Sequence, residues 1–268
     1  MAAAQSIQRK RYRRIDPRCM QRGFTLSELA IVSIVIALLL GGLLLSFAAQ
    51  TDIQRANSTQ RTLELAQEAL VGFVILNGRL PCPATGTAGS GVEQVANSIC
   101  LVRNGFFPAR SLGLSPMDSQ GYLIDSYGNR IGYSVSNEDA FTTTTTSSQL
   151  KARSSAGTLS TLSPDLRICS TASGLVNGGV QSSASCAGSA ATLSDSAVVA
   201  IYSLGPNAGT TGSPDSPVLS TDERANYTAD RVLVWHERNN TPGSEFDDLL
   251  VWLPKSVLIA KLSAAGAL

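Results

Sequence analysis

The stretch RGFTLSELAIVSIVIALLLGGLLLSFAA, residues 22–49, carries a single acidic group, Glu28, just before a long apolar run. From Leu29 to Ala49 only two serines and two glycines interrupt the apolar side chains. A helix of about 20 apolar residues is long enough to cross a lipid bilayer. The sequence therefore predicts a transmembrane helix over residues 24–50.

Residues 1–23 form a strongly basic leader, with seven basic side chains and one acidic side chain, Asp16. The whole chain has a net charge of +1, so residues 24–268 carry a net charge of −5. Basic residues beside a membrane span stay on the cytoplasmic side, which predicts a cytoplasmic N-terminus and export of everything after about Thr51. A nucleic-acid arm is the competing interpretation, but an acidic body repels phosphate, so we expect no nucleic-acid partner.

Cysteine usage agrees with export. Cys19 lies in the leader, and the exported part holds an even number of cysteines: Cys82, Cys100, Cys169 and Cys186. Four cysteines allow three pairings in an oxidising compartment. We favour the sequential pairing, because each bridge then closes a short Gly/Ser-rich loop with few apolar residues of its own. A zinc site is the weaker alternative, since the chain has no C-x-x-C pair and one histidine.

Residues 22–29 closely resemble the cleavage junction of type IV prepilins, including pseudopilins of type II secretion. In that family a membrane peptidase cuts after the glycine and methylates the new N-terminal phenylalanine. The resemblance implies that Gly23 precedes the cut, that Phe24 becomes the methylated N-terminus, and that Glu28 is the acidic residue used in assembly. It covers residues 22 to about 50.

The chemistry of Glu28 supports the same assignment. A carboxylate beside a membrane span is costly unless it is paired, and such residues mark function by default. The amine freed at Phe24 is a suitable partner, and four residues apart on a helix the two groups share a face. The pair can form within one chain or with a neighbouring subunit of a staggered filament, and the sequence leaves both open. In either case cleavage would gate assembly.

Two other interpretations of the N-terminus remain. One is an ordinary secretory signal cut near Ser46-Phe47-Ala48, although the apolar run is long for a signal peptide and Glu28 interrupts its start. The other is a membrane anchor that is never cut, which leaves Glu28 without a purpose.

The helix is predicted to continue out of the membrane over residues 51–78. Apolar side chains recur there at helical spacing, with charged side chains on other faces; the apolar positions are Leu63, Ala66, Leu70, Phe73 and Val74. The pair Asn77-Gly78, followed by Pro81, predicts the end of the helix. We expect this amphipathic half to cover a sheet.

Residues 79–268 are predicted to form a β-rich head. Short runs of β-branched or aromatic residues predict strands of an antiparallel sheet: Ile131–Val135, Val198–Leu204, Val232–Trp235 and Leu249–Leu253. Residues 142–148 and 154–196 are predicted to be surface loops. The predicted fold class is α+β and pilin-like: a long N-terminal helix, its first half transmembrane, packed on an antiparallel sheet with disulfide-tied loops.

Two segments of the head resemble minor pilins and pseudopilins less specifically. Residues 125–133, DSYGNRIGY, are similar to the Asp-Pro-Trp-Gly-Asn-Pro-Tyr turn and strand of that family, but Ser126 and Tyr127 replace Pro and Trp, and Ile131 stands where Pro is expected. Residues 246–254, FDDLLVWLP, resemble the closing strand of large pilin-like proteins.

We expect no catalysis. The sequence has no G-x-S-x-G nucleophile elbow, and a single histidine on a strand, His236, is more often structural.

Calcium is the metal to consider, because some pseudopilins bind it near their C-terminal strands. Carboxylates supply the hard oxygen ligands that calcium prefers, and the candidates are Asp222, Glu223, Asp230, Asp247 and Asp248. No EF-hand spacing is present, so the indication is compositional.

These patterns predict a structural subunit of a type IV pilus or a type II secretion pseudopilus, without a resident cofactor. We expect it to lie in the inner membrane with a periplasmic head. Its expected partners are the prepilin peptidase, an inner-membrane assembly platform and other pilin or pseudopilin subunits. Residues 24–268 are many for a major subunit, which indicates a minor or tip component. The alternative function is a filament-tip adhesin or substrate-binding subunit.

Overall fold

The computed structural model describes residues 24–86, 89–172, 186, 190–208, 219–227 and 231–268, without the side chains of residues 42–49 and 148. The chain divides into two compact units between Gln50 and Thr51. The helices are α1 Leu26–Asn77, α2 Ala109–Leu112, α3 Leu150–Ser155, α4 Thr221–Tyr227 and α5 Lys255–Ala264. The strands are β1 Val95–Ala96, β2 Ile99–Cys100, β3 Asn104–Phe106, β4 Gly132–Val135, β5 Leu166–Cys169, β6 Thr192–Ser203, β7 Val232–Val234 and β8 Leu249–Pro254.

The second half of α1 has the amphipathic character that the sequence predicts. Leu63, Leu70 and Val74 are buried in the core of the head, whereas Glu64 is exposed. The helix ends at Asn77 as predicted: the N–H of Gly78 closes the last turn on the Val74 carbonyl at 2.7 Å. Gly78 has a φ of +71°, a left-handed conformation that favours glycine after a helix.

The first unit holds the apolar half of α1. Among the residues described, none of the helices combines the length and the apolar character that crossing a membrane requires. The predicted transmembrane span over residues 24–50 is therefore not confirmed.

The head contains a six-stranded sheet in the order β3-β4-β6-β5-β7, with β8 paired to β6. Most neighbours are antiparallel, but β5 and β7 run parallel, so the predicted antiparallel sheet is wrong in this pairing. Parallel neighbours need a long crossover connection. Strand β6 and helix α4 lie in the chain between β5 and β7. This connection is long enough for β7 to pair with β5 and run parallel to it.

The sheet has a buried core on each face. Successive side chains of a strand point to opposite faces, so Val199 and Ile201 of β6 join the core that includes Leu63 and Leu70 of α1. Ala200 and Tyr202 join a second core on the other face.

The predicted surface loops are wrong in part. Strand β5 and the first part of β6 fall within residues 154–196, and Leu166 and Ile168 of β5 are buried. Thr142 is buried as well, and its hydroxyl accepts a hydrogen bond from Nη1 of Arg103 at 2.7 Å. The four residues of β5 have a weak preference for strand structure, and pairing with β6 and β7 stabilises the strand.

Candidate functional site

The start of α1 is closed by reciprocal hydrogen bonds between Thr25 and Glu28. Oε2 of Glu28 accepts hydrogen bonds from the backbone N–H and the hydroxyl of Thr25, at 2.9 and 2.8 Å. The backbone N–H of Glu28 donates to the Thr25 hydroxyl oxygen at 3.3 Å. This is a capping box, which satisfies backbone donors that the first helical turn leaves unpaired. Glu28 therefore has a structural role at the helix terminus.

The predicted cleavage residues lie directly before this cap. Gly23 is outside the described residues, and the side chain of Phe24 is 79% exposed. In the uncut chain the Glu28 carboxylate has Thr25 as its hydrogen-bond partner. This role of Glu28 was not predicted, although the T-x-x-E pattern of Thr25 and Glu28 is the sequence signal of a capping box.

The described first part of α1 exposes large apolar side chains on all sides. They are Leu26, Leu29, Ile31, Val32, Ile34, Val35, Ile36, Leu38, Leu39 and Leu40. A helix that is apolar all round is stable only when other apolar groups surround it. This part of α1 is therefore suited to lateral packing against apolar partners.

The two disulfides join Cys82 to Cys100 and Cys169 to Cys186, which is the sequential pairing favoured from the sequence. Next to the first bridge, the guanidinium of Arg79 makes two hydrogen bonds to the Glu93 carboxylate, both at 2.7 Å. Oε2 of Glu93 also accepts a hydrogen bond from the N–H of Cys82 at 3.0 Å. The pair is largely buried, so the end of α1 is tied to the disulfide loop.

The turn at residues 125–129, which resembles the family turn, is built on a buried aspartate. Oδ1 of Asp125 accepts hydrogen bonds from the N–H groups of Tyr127 and Asn129, and Oδ2 accepts one from the Ser203 hydroxyl at 2.6 Å. Burial raises the pKa of Asp125, although these hydrogen bonds oppose the shift. The N–H of Ser126 donates to the Thr59 hydroxyl on α1, so the turn joins the sheet to the helix.

His236 is part of a structural contact. Its Nε2 lies 3.1 Å from Oδ2 of Asp222, its Nδ1 lies 2.8 Å from the Glu237 carbonyl oxygen, and its ring lies against Phe246. Both nitrogens face oxygen atoms that accept hydrogen bonds. In the described part of the chain, neither ring nitrogen is therefore directed at a serine hydroxyl.

Three of the calcium candidates come together. Oxygen atoms of Glu223, Asp247 and Asp248 lie within 4.8 Å of one another. Asp222 does not join them, because its carboxylate binds His236 and the N–H of Ala172. The fifth candidate, Asp230, lies outside the described residues.

Hydrogen bonds already occupy much of this acidic cluster, defined as Glu223, Asp247 and Asp248. Oε2 of Glu223 accepts from the N–H of Ser220 at 3.0 Å, and Oδ2 of Asp248 accepts from the amide of Asn226 at 2.8 Å. Within the described ranges, the buried Oδ1 of Asp247 has no hydrogen-bond donor. Calcium binding stays a prediction.

Burial also changes the ionisation of the cluster. Loss of hydration, together with the nearby Glu223 carboxylate, raises the pKa of Asp247 to about 7. The pKa of Asp248 is raised well above its usual value, chiefly because the carboxyl is completely buried.

Comparison with protein families identifies one motif. Residues 18–44 match the family model described as the prokaryotic N-terminal methylation motif, the hallmark of type IV pilin and pseudopilin prepilins. The matched segment includes the predicted cleavage residues, Gly23 and Phe24, and the capping box. No curated protein and no solved structure matches the chain.

Proposed function

We propose that this protein is a minor or tip subunit of a type IV pilus or a type II secretion pseudopilus, and that it has no catalytic activity. The prepilin peptidase cuts between Gly23 and Phe24 and methylates Phe24. The processed subunit lies in the inner membrane with its head in the periplasm, and the assembly platform transfers it to a filament of pilin or pseudopilin subunits. The observation that carries the proposal is the methylation motif over residues 18–44.

The exposed apolar side chains of α1 support the assembly step. They offer the lateral surface that helix packing in a filament requires, as described above. After cleavage, the new amine of Phe24 competes with Thr25 for the Glu28 carboxylate. Cleavage thereby converts a carboxylate that caps its own helix into one that can pair with a positive charge.

Substitutions at Glu28 and Thr25 separate these two roles. Glu28→Gln removes the charge but keeps the cap, because glutamine also closes a capping box. Thr25→Ala removes the cap at a cost of about 1 kcal/mol and keeps the charge. We expect Glu28→Gln to be cut normally but to enter filaments at least tenfold less, since removing one partner of a desolvated charge pair costs more than about 1.4 kcal/mol, the free energy that a factor of ten represents. Thr25→Ala should be cut and incorporated at close to the rate of the unchanged protein.

The measurement is an immunoblot of sheared filaments against whole cells, in the native host with each variant expressed at the chromosomal locus. Normal incorporation of Glu28→Gln would show that the charge is not needed for assembly. A defect in Thr25→Ala together with normal incorporation of Glu28→Gln would show that Glu28 acts through the helix cap alone.

A further inference from the structure

A groove of about 470 Å³ runs along the outer edge of β8 in the head. One wall is a row of polar side chains on α1, Gln60, Glu64 and Gln67, which lie one helical turn apart. The other wall is the segment 235–238, and the floor includes residues 248–252.

The backbone of β8 presents hydrogen-bonding groups to this groove. The carbonyl of Val198 accepts a hydrogen bond from the N–H of Ser136, the residue after β4. The even-numbered residues of β6 therefore direct their backbone N–H and C=O groups toward β4. The backbone groups of the odd-numbered residues, Val199 and Ile201, are directed toward β8. Their partners in β8, Leu253 and Val251, therefore use their backbone N–H and C=O groups for hydrogen bonds to β6.

Leu250 and Trp252 consequently direct their N–H and C=O groups away from β6. The contact to Gln67 agrees with this direction, because its side-chain amide donates to the Trp252 carbonyl at 2.8 Å. Strand β8 pairs with β6 and with no other strand in the described ranges. A strand edge of this kind is a template for an added strand.

The two sides of the groove differ in chemistry. Leu249 and Val251 lie on the face of the sheet that α1 covers, and Trp252 lies on the other face. On that other face the indole of Trp235, which is 37% exposed, packs edge-on against Trp252 with ring centroids 5.8 Å apart. A strand added to β8 would thus have one row of side chains beside the amide and carboxylate groups of α1 and the other row beside Trp235.

We propose that this groove binds an extended segment of another protein, which adds to the edge of β8 as a further strand. The segment alternates apolar side chains, facing the tryptophans, with basic side chains, facing Glu64. Charge favours a basic segment, because the carboxylates of Glu64 and Glu237 line the groove and Arg238 offsets one of these two negative charges. A second copy of the sheet fits less well, since the α1 row stands beside the edge and contacts the Trp252 carbonyl through Gln67. The inference does not depend on the proposed role in a filament.

The experiment uses the full chain in detergent micelles and the capped peptide Val-Lys-Val-Lys-Val-Lys-Val, with hydrogen exchange read residue by residue. Addition to β8 should slow exchange of the Leu250 and Trp252 amides by roughly tenfold or more, while the amides of Val251 and Leu253, already bonded to β6, change little. In a strand, alternate N–H groups point to the same edge. N-methylation removes the backbone N–H donor, so a peptide methylated only at Val loses the donors of one edge, and a peptide methylated only at Lys loses those of the other. One of these two peptides should therefore bind and the other should not.

Charge is tested with matched variants. Glu64→Lys should weaken binding of the Lys/Val peptide by roughly tenfold or more, whereas Asp195→Lys, an exposed acid that does not line the groove, should leave it unchanged. Failure of the Lys/Val peptide to slow Leu250 exchange at millimolar concentration would overturn the proposal, as would equal behaviour of the two N-methylated peptides. Tighter binding of a Glu/Val peptide would overturn the basic specificity. Slower Leu250 exchange at high protein concentration without peptide would identify a second copy of this chain as the occupant.

Discussion

Asp247 lies against Gly205 and beside two other acids. Gly205 has a φ of +65°, and a Cβ at that position would lie 1.9 Å from Oδ1 of Asp247, so the glycine is needed for this close approach. The carboxyl titrates at about pH 7, as described above, compared with 3.8 for an ordinary aspartate. Its ionisation therefore affects folding in a pH range that is easy to measure.

The expected effect is a loss of stability as the pH rises. Between about pH 4 and pH 7 the folded state holds a proton on Asp247 that the unfolded state has released, so the free energy of unfolding falls over this range. The raised pKa of Asp248 acts in the same direction. We predict a higher melting temperature at pH 5 than at pH 8 in a chelating buffer. Asp247→Asn, which cannot ionise, should reduce this difference and should melt higher than the unchanged protein at pH 8.

The control is Asp195→Asn, which removes an exposed carboxyl. It should keep the full difference between pH 5 and pH 8, and an unchanged pH difference in Asp247→Asn would contradict the account. Adding calcium at pH 8 tests the acidic cluster as a metal site. A bound ion would raise the melting temperature of the unchanged protein and not that of Asp247→Asn.

At the scale of elements, α1 combines two helical segments with different surroundings. Every described side chain of α1 before residue 42 is exposed, whereas its buried side chains lie between Ala56 and Val74. Both the spacing of these side chains and the end of the helix were predictable, because helical periodicity and a C-terminal glycine are local signals. Strand β5 was not predictable, because Ile168 is its one β-branched or aromatic residue and its neighbours β6 and β7 are distant in sequence.

The packing of the second half of α1 can be tested with two leucines of the same helix. Leu70 is completely buried, whereas Leu65 is 56% exposed. Leu70→Ala should lower the free energy of unfolding by about 2–5 kcal/mol, because it removes apolar contacts and leaves a cavity. Leu65→Ala should change it by less than about 0.5 kcal/mol. Urea unfolding of the full chain in detergent gives both values, and equal losses would show that α1 does not pack through the Leu70 face.

At the scale of the whole molecule, the sequence was informative where chemistry is local and less informative where the chain returns on itself. The methylation motif, the class of fold and the pairing of Cys82 with Cys100 and of Cys169 with Cys186 could be anticipated. The parallel pairing of β5 with β7 and the open edge of β8 depend on the order of strands in the sheet, which no short pattern encodes.

The candidate site was predictable to a different degree at each position. The leader junction is a contiguous motif, so Glu28 stood out, but its hydrogen bonds to Thr25 became evident only with the helix start in place. In the acidic cluster, Asp247 and Asp248 are adjacent in sequence, whereas Glu223 joins them through the fold. The prediction from composition grouped Asp222 with these acids. In the structure its carboxylate contacts His236 instead.

The proposed function depends on processing of the N-terminus. The direct measurement is mass spectrometry of the N-terminal peptide, after the full chain has been expressed in membranes with and without a prepilin peptidase. We predict a peptide that begins with N-methylated Phe24 when the peptidase is present, and an intact leader when it is absent. An N-terminus near Ala49 in either sample, or a leader retained in both, would contradict the account.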